Sequence, residues 1–250
     1  MICISFQASP RKLGETRYDS IMDTRWHGTV NETAWIEAAL AYIGGAEAEA
    51  LAARGVFHVV LAGGDTPRRV YEALATESHD WARWQIWFGD ERCLPPEHAE
   101  RNSQMAWRSL LGRVAIPGTN IHVIPAELGA AKAAEGYAVN IRDVGFFDLV
   151  LLGLGEEGHT ASLFPGRDWG DESDTEVIAV FDAPKPPAER VSLSASRLSR
   201  SRHVLLLVSG AGKRAALSAW RAGAPVPAAA IQPLAGVDVL MTRDAVPRDE

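Results

Sequence analysis

Apolar residues fall along this chain in short unbroken blocks, and between the blocks lie segments with a helical period. FHVVLA (57–62), WQIWFG (84–89), IHVI (121–124), DLVLLG (148–153), HVLLLV (203–208) and VDVLMT (237–242) are each about the length of one strand. Continuous rather than alternating apolar character marks strands covered on both faces, as in a parallel sheet. Thr29-Val30-Asn31-Glu32 has the form of a capping box and opens a helix whose Trp35, Ala38, Ala39, Tyr42 and Ile43 share one face. Gly44-Gly45 is expected to weaken or kink that helix before the alanine-rich run to Arg54. Further helices are predicted from Pro67 to Ala75, over MAWRSLL (105–111), over 130–142, and from Lys213 to about Trp220. EVIAVF (176–181) and RVSLS (190–194) read as two strands around the proline-rich turn DAPKPPAE, a side hairpin.

Strands alternating with helices predict an α/β fold: an open, mostly parallel Rossmann-like sheet flanked by helices, with a small additional β-hairpin region. One domain is expected over residues 29–250. Residues 1–28 show no period and are expected to form an N-terminal extension, partly disordered, with Met22 as an alternative start. The acidic stretch from Pro165 to Asp174 reads as surface loop.

Composition narrows the function. Hydrophobic residues make up 47% and charged residues 23%, ordinary for a globular chain of 250 residues. A net charge of −7 argues against a nucleic-acid or anionic-membrane partner. An anionic ligand would then need a local cluster of arginine, lysine and backbone N–H groups. Cys3 and Cys93 form neither a disulfide framework nor a metal-ligand spacing, which fits a reducing compartment. Without an 18-residue apolar run or a signal-peptide core, a soluble cytoplasmic protein is expected.

Candidate chemistry gathers where strands end. DLVLLGLGEEGHTASLFPG (148–166) delivers His159 and Thr160 from a glycine-rich turn just after a strand. Gly63-Gly64-Asp65-Thr66 follows another strand and opens a helix. It is either a phosphate cradle of backbone N–H groups or a plain tight turn, and Asp65 favours phosphate only if its carboxylate points away or caps the helix. Asp90-Glu91-Arg92 consists of either solvated turn residues or site residues, and taken alone the solvated reading is the simpler. Ser209-Gly210-Ala211-Gly212-Lys213 is a second glycine-rich junction and carries a lysine. A parallel sheet brings such ends to one rim.

AGGDTP, GDERCLPPEHAERNSQMA, DLVLLGLGEEGHTASLFPG and PPAERVSLSASRLSRSRHVLLLVSGAGK, in that order, resemble the 6-phosphogluconolactonases of the glucosamine-6-phosphate isomerase/6-phosphogluconolactonase superfamily. The likeness covers roughly residues 30–245. It departs at Asp65, where the family often has serine, and at Glu157, where aspartate is usual. The resemblance implies hydrolysis of a small sugar-phosphate lactone by a monomer or homodimer without metal or organic cofactor. It implies His159 as catalytic base, with Asp90 orienting either that histidine or a bound hydroxyl. Gly63, Gly64, Asp65, Thr66, Arg92, Lys213 and Arg167 are the expected substrate and phosphate contacts, and Arg190 is a reserve cation. Glucosamine-6-phosphate deaminases are the nearest rival; they would carry tyrosine at Arg92 and a HIAFNEP-like segment at HTASLFP. A sugar-phosphate-binding regulator without catalysis is the remaining alternative.

Overall fold

The computed structural model of the chain describes residues 24–170 and 175–247. Among them are strands β1 (Thr24–Gly28), β2 (Phe57–Leu61), β3 (Trp84–Phe88), β4 (Asp90–Arg92), β5 (Phe147–Gly153), β6 (Val177–Val180), β7 (Arg190–Leu193), β8 (Ser201–Val208) and β9 (Val237–Met241). The helices are α1 (Glu32–Arg54), α2 (Asp65–Leu74), α3 (Asn102–Ala106), α4 (Ala130–Ile141), α5 (Ala195–Ser199) and α6 (Arg214–Arg221). Six strands form an all-parallel sheet in the order β1-β9-β8-β5-β2-β3. The other three form a small antiparallel sheet, β4-β7-β6. The parallel sheet and the hairpin region follow the sequence expectation, with β4 added as the hairpin's third strand.

β5 explains the apolar blocks: Phe147 to Leu152 are all buried, because helices cover both faces. α1 packs on α2, β2, β5 and β9, and its Trp35 indole N–H donates to Leu240 O at 3.0 Å. The helix is continuous through Gly44-Gly45, where a weak point or kink was expected. Ile43 and Ala46 on either side are buried, and that packing outweighs the glycines' poor propensity.

Other local expectations also change. Asn31 caps α1, accepting from Ala34 N at 2.8 Å, while Thr29 bonds back to Met241 O and so ties β1 to β9. Residues 24–28 are therefore part of the sheet rather than an extension. Their polar pattern hid them, because an edge strand has one neighbour and needs less apolar surface. Residues 1–23 lie outside the described residues. IHVI makes only a single bridge, Ile121 to Ile86, before Pro125 ends further pairing, so it is not a strand. α2 begins at Asp65, two residues before Pro67.

The chain passes from β2 outward to β3 and then returns to β5 on the other side of β2. The connections leaving β2 and β5 thus diverge, and a crevice opens at the carboxyl ends of those two neighbouring strands. The segments after β2, β3, β5 and β8 all emerge on that rim.

Candidate active site

His159 owes its position to a tight turn after β5. Gly155 N–H donates to His159 O at 2.7 Å, and Gly158 N–H to Gly155 O at 3.1 Å. The imidazole folds back over Gly155 so closely that a Cβ there would fall 1.9 Å from its Nδ1. Only glycine leaves room at that position. Thr160 and Leu163 exchange backbone bonds, and Thr160 Oγ1 donates to Gly153 O at 2.8 Å. Between them Ala161 sits at φ 47°, a left-handed conformation that costs a non-glycine residue roughly 1 kcal/mol or more. That twist turns Ser162 inward.

Nδ1 of His159 is buried and lies 3.2 Å from Glu157 Oε1, without the alignment of a hydrogen bond. Nε2 makes no hydrogen bond to protein among the described residues and is not among the buried unpaired atoms. Burial lowers the imidazole's pKa below its ordinary value; Glu157 opposes this, and the charges of Lys185 and Arg190 assist it. Glu157 moves down as well: burial works against ionisation, but its own backbone N–H, His159 and Lys185 together prevail. The aromatic face of Phe164 lies 5.1 Å from the imidazole, and the guanidinium of Arg190 lies 5.6 Å from Phe164 on the ring's face.

Asp90, Glu91 and Arg92 are not solvated turn residues. They form β4, with Asp90 and Glu91 buried. Ser162 Oγ donates to Asp90 Oδ2 at 2.6 Å and Asn102 Nδ2 to Asp90 Oδ1 at 3.0 Å. Burial raises the pKa of Asp90, and the Ser162 hydroxyl partly offsets that. Among the described residues Asp90 makes no hydrogen bond to His159; the carboxylate beside the imidazole belongs to Glu157. Asn102 in turn occupies the space a side chain at Gly63 would need, so the β2 loop rests on the β4–α3 unit. Glu91 accepts from the N–H groups of Asn102 and Ser103 at 2.7 and 2.9 Å, capping α3, and faces buried Arg101 at 3.4 Å.

The expected cations divide. The Lys213 ammonium has no hydrogen bond or ion pair among the described residues; its loop is held by the Lys213 N–H donating to Gly210 O at 3.1 Å, by Glu156 packing on Gly212 and by Arg69 Nη2 donating to Ser209 Oγ at 2.6 Å. Arg92 donates through Nη1 to Glu100 O at 2.8 Å, and its Nε is buried without a partner. Arg190 stands directly opposite Arg92 across β4 and β7. Like charges so paired repel unless an anion joins them. Arg167 is committed instead to an ion pair with Asp182. Asp65 is almost wholly exposed and pairs with Arg68 at 3.2 Å. Gly64 (φ 98°) serves as the N-cap of α2, whose first N–H groups have no intrahelical acceptor. Thr66 is half-buried in that first turn.

Asn102, Ser162 and the partnership of Glu157 with His159 were missed in the sequence. Asn102 reads there as a helix start and Ser162 as one hydroxyl among many. The only signal was that each lies inside a segment carrying the family likeness.

A family model described as glucosamine-6-phosphate isomerases/6-phosphogluconolactonase matches residues 30–240. The chain belongs to that family. Among curated members, the 6-phosphogluconolactonase of Mycobacterium tuberculosis is 38% identical over 224 residues, 80% of this chain and 88% of its own length. The chloroplastic 6-phosphogluconolactonase 3 of Arabidopsis thaliana is 39% identical over 183 residues, covering 66% of this chain but 56% of that protein. The chain therefore spans little more than half the length of this plant relative. Among solved structures, the 6-phosphogluconolactonase of Thermotoga maritima matches with a TM-score of 0.81 at 28% identity, over 88% of this chain and 100% of that one. The Trypanosoma brucei enzyme matches with a TM-score of 0.80 at 25% identity, over 90% of this chain and 98% of that one. A monomeric glucosamine-6-phosphate deaminase shares the fold, with a TM-score of 0.76 at 20% identity over 88% of this chain and 98% of that one. No helix among the described residues is long and apolar enough to cross a membrane.

Proposed function

We propose that this chain hydrolyses 6-phospho-D-glucono-1,5-lactone to 6-phospho-D-gluconate, a step of the oxidative pentose phosphate pathway, in the cytosol. The observation that carries the reading is His159 itself. Its Nδ1 is turned inward beside Glu157, its Nε2 is left without a protein partner, and its pKa is held low by burial.

Neutral Nε2 takes a proton from water as the water oxygen bonds to the lactone carbonyl carbon. General-base help of this kind contributes roughly 10²–10⁴-fold. Glu157 stabilises the imidazolium that forms. The carbonyl oxygen becomes an oxyanion, and free backbone N–H groups at the glycine-rich turns are donors of the right kind. Collapse of the intermediate breaks the bond to the ring oxygen, which receives the proton back from His159. One water is consumed and one carboxylic acid and one hydroxyl appear.

Lys213, Arg190 and Arg92 hold the phosphate, aided by the N–H groups of Gly64, Asp65 and Thr66 and by the Thr66 hydroxyl. Asp65 contributes its backbone while Arg68 offsets its charge. Arg190 takes the place of Arg167 in this scheme because it stands opposite Arg92 across β4 and β7, while Arg167 pairs with Asp182 at the surface. Asp90 fixes Ser162 and Asn102, and through them the relation between the β5 turn and Gly63.

The test is lactone consumption by the purified chain, corrected for spontaneous opening. Acceleration of 6-phosphogluconolactone opening with no ammonia released from glucosamine 6-phosphate is the expected result. Ammonia release, or phosphosugar binding without turnover, would overturn the reading.

A further inference from the structure

The link between β6 and β7, residues 181–189, reaches back to the catalytic turn through one side chain. Lys185 Nζ lies 3.2 Å from Glu157 Oε1 and 3.3 Å from Oε2. Glu157 Oε1 is the same atom that stands 3.2 Å from His159 Nδ1. One carboxylate oxygen is therefore contested by a lysine and an imidazole, and the lysine, spanning both oxygens, is the better engaged. Nδ1 is left near the carboxylate but unbonded and buried. The Lys185 backbone is held in turn, since Arg190 Nη2 donates to Lys185 O at 2.8 Å. Arg167 and Asp182 pair across the root of the same loop.

We propose that Lys185 is a positioning residue that sets the basicity of His159 by competing for Glu157. With Lys185 engaged, Glu157 is partly neutralised and pulled from alignment with Nδ1, so the imidazole stays neutral and ready to accept a proton. When Lys185 swings away, Glu157 is free to accept from Nδ1–H and to stabilise the imidazolium. Lys185 is more than half exposed, so solvent screens the pair and the movement costs little. The loop thereby becomes a control on the acid–base state of a residue it does not touch. The charged groups facing His159 are Glu157, Lys185 and Arg190, and Arg190 in turn feels Asp90 and Arg92. Of these only Lys185 sits on the exposed link. The inference rests on His159 acting as the proposed base, but its first readout does not.

The experiment is an NMR titration of the His159 ring protons without substrate, in the wild-type chain and in Lys185→Met, Lys185→Arg, Glu157→Gln and Lys185→Met/Glu157→Gln. Lys185→Met should raise the His159 pKa by about one pH unit, the lower end for loss of a nearby charge effect. Lys185→Arg should restore it. Glu157→Gln should lower it, and adding Lys185→Met to Glu157→Gln should shift it less than Lys185→Met does alone. In the lactone assay the acid limb of kcat/KM should move with the NMR value. An unmoved His159 titration in Lys185→Met overturns the proposal, as does a rise in KM with kcat and acid limb unchanged, which would make Lys185 a substrate contact. A shifted titration in a chain that opens no lactone would keep the coupling and reject the lactonase reading instead.

Discussion

At the scale of single residues the proposed chemistry depends on an imidazole kept neutral. Burial holds the His159 pKa below about 6.5, so the unprotonated base persists below the pH at which a free histidine would charge. The acid limb of kcat/KM should accordingly fall below pH 6.5, measured as a pH profile between 4.5 and 8. A limb above 6.5 would mean that a group other than this imidazole titrates. Gly155 gives the complementary test. In Gly155→Ala the new methyl would occupy the ring's position, so kcat should drop by about 10²-fold, the usual cost of a misplaced catalytic group. The strand-end positions of His159, Lys213 and Gly64 were legible in the sequence because glycine at strand ends is a strong local signal. Glu157 was visible only as a departure from aspartate. Its pairing with His159 depends on a backbone turn whose geometry no spacing rule supplies. Asp90 was expected to orient the histidine or a bound hydroxyl; among the described residues it bonds to Ser162 and Asn102 rather than to His159, a pairing between segments far apart in sequence.

At the scale of elements, the buried strands were the easiest features to read and the edges the hardest. Leu149–Leu152 is apolar throughout because both its faces are covered, whereas Thr24–Gly28 pairs on one side only among the described residues and carries Arg25 and His27. β4 was hidden for another reason. Its three residues are all charged, and Asp90 and Glu91 are buried because Glu91 caps α3 and faces Arg101 while Asp90 meets two hydrogen-bond donors. Local polarity said turn, and tertiary partners overrode it. α1 shows the same override with the opposite sign, helix persisting through two glycines. A Cβ at Gly45 would meet nothing within 4 Å. Gly45→Ala should therefore stabilise the chain by about 0.5–1 kcal/mol in urea denaturation, through reduced freedom of the unfolded state and better helix propensity. Destabilisation would show that the glycine pair serves a packing need.

At the scale of the molecule, one sheet both supports the fold and assembles the site, so the two should share a dependence on pH. His58, His122 and His159 all have pKa values lowered mainly by burial. Each is held neutral in the fold, and the unfolded chain protonates first as pH falls through about 6.5. Their contribution to stability is therefore complete above that pH and is lost below it, toward their folded pKa values. Asp238 adds a second loss at lower pH. Burial opposes its ionisation, but bonds from His27, Arg25 and Tyr42 hold its pKa well below the carboxylate range, and that stability disappears as pH drops below about 3.9. Urea midpoints should thus decline between pH 7 and 5, ahead of the loss from Asp238; a flat profile there would contradict the buried-neutral histidines. The alternation of strands and helices made the rim of candidate-site loops foreseeable, while the order of strands, and so the crevice between β2 and β5, appears only in three dimensions. The most direct test of the whole account is turnover of 6-phosphogluconolactone by wild type, His159→Ala and Lys213→Ala, with spontaneous opening subtracted. His159→Ala should lower kcat by about 10²–10⁴-fold with KM little changed, and Lys213→Ala should mainly raise KM. Full kcat in His159→Ala would contradict the account.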